Sequence, residues 1–257
     1  MNRIDLKLSL LLAAVCAIGA VILVPYQLGN ISAEVREEIP LTTGQLTGIT
    51  ALQMIVTGFI LSFIGFKLVR RTGLTVDILQ SLFLKEDKTK FQKNGLIASI
   101  AGGIMFAFFT VAADRFYFAD KIEKLGEGDV HFSFQGLLAG ILYGGVFEEV
   151  MLRLFFMSLL VWILKNLFAR KKDEIPAAIY WSAITVAAVL FAAGHLPATE
   201  ALFGDLTATM IARSFLLNGL GGILFGYLYW KKGLEYSMIA HMFCHIGMQV
   251  LFIPLLY

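Results

Sequence analysis

The stretch that decides the architecture is Gly136–Leu164, GLLAGILYGGVFEEVMLRLFFMSLLVWIL. It is apolar on either side of its middle and longer than the roughly 20 residues a helix needs to cross a bilayer, which predicts a span that tilts or bends. Its middle carries Glu148, Glu149 and Arg153, three charges that no hydropathy argument anticipates. Ionisable groups at membrane depth are costly unless paired or hydrated, so they mark functional candidates.

The rest of the chain fits the same reading. Hydrophobic residues make up 58% and charged residues 16% of 257, and the mean hydropathy is +0.77; soluble domains carry about 25% charged residues. Further long apolar runs lie near Leu8–Leu28, Leu46–Val69, Gly95–Ala113, Pro176–His195, Ile211–Trp230 and Leu234–Leu255. The fold class is therefore all-α, a polytopic transmembrane helix bundle of about seven spans, with 1–257 forming one domain. The first run follows Arg3 and Lys7 but exceeds a signal-peptide core and lacks a small-x-small cleavage site, so it is expected to be retained as a span. Cys16 and Cys244 sit in separate apolar runs and form no disulfide framework.

Basic residues collect on one side of the predicted membrane. Fifteen of the 21 Lys and Arg fall at the chain start and in the loops after the second, fourth and sixth runs. Arg36, Arg115, Lys121, Lys124 and Arg213 fall on the other side, mixed with ten Asp and Glu. The asymmetry puts the N-terminus in the cytoplasm and Tyr257 outside. A net charge of +2, spread over short loops, gives nucleic-acid binding no support. Residues 70–94 read equally as a short interfacial helix beside a basic stretch or as a plain solvated connection. His131 lies in the polar DVHFSF stretch outside the spans and is assigned no role.

Three clusters carry the candidate chemistry. In EEVMLR, Glu149 and Arg153 are four residues apart, so they meet on one helix face as an ion pair, best a bidentate one. Glu148 points about 100° away and must find a wet cavity, a remote partner or a proton; a carboxylate so placed suits a general base. A purely structural Glu149–Arg153 pair tying helices together is the competing reading. In FAAGH, His195 closes an apolar run and precedes Leu196-Pro197, a pair that disfavours continued helix, while Phe191 one turn earlier is placed to orient its ring. In HMFCH, His241 and His245 share a face of the last helix, a spacing also used for metal ligands. Their alternative reading is hydrogen-bonded core histidines.

EExxxR, FxxxH and a last His motif, in this order on separate membrane helices, resemble the CPBP family of CAAX-processing and bacteriocin-processing peptidases, also called Abi or Rce1-like proteins. The resemblance covers residues 136–249 and leaves the first three spans without a signature. It implies an intramembrane endopeptidase, an integral protein of a prokaryotic plasma membrane, acting on a membrane-associated peptide or protein through a Glu-activated water. Glu148 would be the base, Glu149 and Arg153 its supporting pair, His195 a group orienting the water, and His241 a donor to the oxyanion. The family usually has Asn or Asp four residues after that His, where this chain has His245. The departure raises a zinc alternative, with Glu148, His195, His241 and His245 as ligands, beside the favoured reading without a cofactor. Two other functions remain open: a non-catalytic relative that regulates a membrane partner, and, since no paired repeat supports it, less favoured, a transporter.

Overall fold

The computed structural model describes residues 3–83, 91–126 and 130–257. Among the described residues, seven helices are long and apolar enough to cross a membrane: Arg3–Asn30 (α1), Thr43–Thr72 (α2), Lys93–Phe118 (α3), Phe134–Phe168 (α4), Ala177–Phe203 (α5), Ala208–Lys232 (α6) and Leu234–Leu256 (α7). No strand occurs among the described residues. The protein is an integral membrane helix bundle, and each anticipated run lies within or almost within one of these helices. Helices are what the environment allows, because hydrocarbon offers no partner to an open backbone N–H or C=O.

Polarity is distributed as lipid requires. Leu52 and Met105 are 64% and 72% exposed on the outer surface, whereas Ser9, Ser62, Ser99, Ser158 and Ser214 are fully buried between helices. Small hydroxyl residues let helix backbones approach and bond internally; Ser62 donates to the Gly58 carbonyl at 2.6 Å, for example. Local signals set the helix ends. Thr42 and Gln45 form a reciprocal capping box at the start of α2. Gly73, at φ 68°, terminates it in the left-handed conformation that favours glycine.

α4 is the central helix, packed against α1, α2, α5 and α7. Its Gly140–Glu148 and Val150–Met157 stretches wind π-helically, a wider spiral that recurs at functional sites. α5 breaks where Pro197 predicted: regular helix ends at Gly194, His195 forms a turn, and helix resumes over Leu196–Phe203. The proline occupies the first turn of the new segment, where a missing N–H goes unnoticed.

The two ends of the bundle are chemically distinct. At one, Asp5 takes both arms of Arg70 at 2.9 and 2.5 Å, and Lys165 donates to the Arg71 carbonyl at 3.1 Å. At the other, Arg213 holds Asp114 at 2.6 and 2.5 Å, and Arg115 donates to the Leu256 carbonyl at 3.0 Å. Within residues 70–94 a short helix runs Asp77–Ser81, anchored by the Leu79 N–H donating to Glu235 Oε1 at 2.7 Å. The basic stretch at Lys85, Lys88 and Lys90 lies outside the described residues.

Candidate active site

Three helices bring the singled-out side chains together. Glu148, Glu149 and Arg153 come from the middle of α4, His195 from the break in α5, and His241 and His245 from α7. α7 reaches α4 closely because Gly140 and Gly144 have no side chains: a Cβ on Gly140 would meet the His245 ring, and one on Gly144 would lie 2.7 Å from His245 Nε2 and 3.1 Å from His241 Nε2. The four-residue glycine spacing is a helix-contact signal visible in the sequence, although the reading of the charged residues passed over it.

Glu149 is the buried anchor. Fully enclosed, it faces Arg153 Nη1 at 2.9 Å, accepts from His241 Nδ1 at 2.8 Å and accepts from the Ser237 hydroxyl at 2.6 Å. The expected bidentate fork does not form. Nη1 approaches out of line for a hydrogen bond, Nε has no partner, and Nη2 turns away to the Gly222 carbonyl at 3.2 Å. Glu149 is also bonded to Ser237 and His241, and Arg153 lies between aromatic faces, 4.9 Å from the Phe191 centroid and 5.3 Å from that of Phe225. Cation–π contact takes the place of the second N–H···O bond. Ser237 and Phe225 were not singled out in the sequence, since a serine or phenylalanine in an apolar helix carries no local signal.

The imidazoles are oriented by the same shell. Glu149 can only accept, so His241 donates from Nδ1 and presents Nε2 to Glu148, whose Oε2 lies 3.8 Å away. His241 is stacked between Phe225, with centroids 4.4 Å apart, and His245, 5.2 Å apart. His195 donates from Nδ1 to the Phe191 carbonyl at 2.8 Å, and Phe191 meets its ring edge-on at 4.6 Å. His195 Nε2 then faces Glu148 Oε1 at 3.9 Å. His245 is placed beside His241, not against Glu148.

Glu148 itself forms part of the wall of a cavity of about 520 Å³ that His195, His241 and His245 also line. Its separations from the two Nε2 atoms are too long for direct hydrogen bonds but fit a water that bridges each pair. A zinc would need the same side chains to draw closer. Ligand bonds of about 2.0–2.2 Å in tetrahedral geometry hold donor atoms roughly 3.3 to 3.5 Å apart, less than the 3.8 and 3.9 Å found. Among the described residues no three His, Cys, Asp or Glu converge as a metal site. The Nδ1 bonds that fix both imidazoles would serve a metal site as well as a water site.

A seven-span helical bundle with a carboxylate and two directed imidazoles inside it belongs to the class of membrane proteins built for buried polar chemistry. Residues 130–247 match the model of the family described as type II CAAX prenyl endopeptidase Rce1-like. All six candidate side chains lie within this stretch. No curated protein and no solved structure matches the chain.

Proposed function

We propose that the protein is an intramembrane endopeptidase that hydrolyses a peptide bond of a membrane-associated substrate with a water activated by Glu148. The observation that carries the proposal is the convergence of Glu148 with two imidazole Nε2 atoms at 3.8 and 3.9 Å on one cavity wall. A water held among them loses a proton to Glu148 as its oxygen attacks the scissile carbonyl carbon. His195, fixed on the Phe191 carbonyl, orients that water. In its doubly protonated form His241 donates its Nε2–H to the oxyanion and keeps both of its protons throughout the step. The proton taken by Glu148 passes to the departing amine when the C–N bond breaks. Glu149 and Arg153 do not reach the cavity chemistry directly; Glu149 holds the His241 ring with Nε2 toward the cavity.

No step calls for a metal. Against the regulator alternative stands the completeness of the orienting shell: a site that only docked a partner would need neither the Glu149–His241 bond nor the His195–Phe191 bond. The test compares peptide termini, by mass spectrometry, in membranes from cells carrying the wild type and Glu148→Gln. The variant keeps shape and hydrogen bonding but has no base, so wild-type-specific termini are expected. Identical termini in both would reject peptidase activity at this site.

A further inference from the structure

We infer that the active-site cavity opens at the non-cytoplasmic face of the membrane, and that the substrate is a peptide segment presented from that side; this inference rests on the peptidase reading above. The cavity runs from Glu148 to one end of the bundle only. Its outer walls are Gln27 at the end of α1, Gly136 at the start of α4, Ala198 after the break in α5, Arg213 at the start of α6 and Gln249 late in α7. Glu148 lies twelve residues along α4 from Gly136. Toward the other end the way is shut: Arg153, Leu154, Met157 and Tyr229 are at most 1% exposed, and Ser158 and Tyr229 bond to each other at 2.8 Å.

The open end is the one poor in basic residues. Arg213 at the mouth is already engaged by Asp114, whereas the sealed end carries Lys7, Arg70, Arg71, Lys165, Lys231 and Lys232. Short loops rich in Lys and Arg stay in the cytoplasm, so the mouth faces away from it. The outer half of α4 packs on α1 and α7, and across the cavity Ala198 and Gly194 of α5 are exposed. An extended peptide anchored in the outer leaflet can enter there without first crossing the bilayer.

The test uses the full-length protein in whole cells. Single variants Gln27→Cys and Ala198→Cys report the mouth and Lys172→Cys reports the sealed end; the native Cys16 and Cys244 are both buried. A membrane-impermeant maleimide is expected to label the two mouth variants in intact cells at least ten times more than Lys172→Cys, with Lys172→Cys reacting fully only after permeabilisation. The reverse pattern, or mouth cysteines that react only after permeabilisation or not at all, overturns the inference. Peptide termini that depend on Glu148 should map to non-cytoplasmic segments; their mapping to cytoplasmic loops would also overturn it. Outside labelling without any Glu148-dependent cleavage would leave the side of the opening established and refute the peptidase reading alone.

Discussion

Arg153→Met separates the ion-pair account from simple packing. Methionine has a comparable length and fills the slot between Phe191 and Phe225, so the change removes charge more than volume. It leaves Glu149, wholly buried, with only Ser237 and His241 as partners. Removing one member of a buried pair costs about 3–5 kcal/mol because the other charge stays uncompensated. At about 2–4 °C per kcal/mol for a chain approaching this size, the midpoint of thermal unfolding in detergent should fall by about 6–20 °C. Glu149→Gln in the same chain removes the stranded charge, and the double variant should regain most of the loss, with a coupling of at least about 2 kcal/mol across the cycle. An Arg153→Met protein melting within about 4 °C of wild type, or a double variant no more stable than the single one, would refute the reasoning.

Gly144→Ala would set a methyl 2.7 Å from His245 Nε2 and 3.1 Å from His241 Nε2; overpacking of about 1–3 kcal/mol and a lower kcat are expected, while Gly48→Ala, with open space around it, should leave both unchanged or slightly raise stability. Ser237→Ala removes a donor from buried Glu149 and should cost about 1–3 kcal/mol, read by thermal unfolding. His245→Asn preserves a donor beside His241 and should retain or raise activity; elemental analysis of the wild type and this variant checks the metal question, since stoichiometric zinc lost from the variant together with cleavage would reverse the metal-free reading.

The span pattern was legible because hydrocarbon imposes it residue by residue: a run of apolar side chains long enough to cross has only one economical backbone. The break at His195 was legible for a similarly local reason, the steric effect of Pro197 on Leu196. The Glu149–Arg153 meeting followed from helical spacing, but its form did not. Whether the guanidinium forks onto the carboxylate depends on Gly222, Phe191 and Phe225, which come from two other helices. The orientation of His241 depends equally on Glu149, 92 residues away in sequence, and the links Asp5–Arg70 and Asp114–Arg213 join helices at separations of 65 and 99 residues. Spacing within one helix cannot encode such pairings. The notch formed by Gly140 and Gly144 lies between these cases: its period was in the sequence, and only the approach of His245 gives it meaning.

The central claim is that Glu148 activates water for peptide hydrolysis. Membranes bearing the wild type or Glu148→Gln, incubated in water enriched in oxygen-18, test it most directly. New carboxyl termini carrying the heavy isotope are predicted with the wild type and should vanish with Glu148→Gln, which should remain folded at wild-type abundance. Equal isotope incorporation in the two samples would contradict the account.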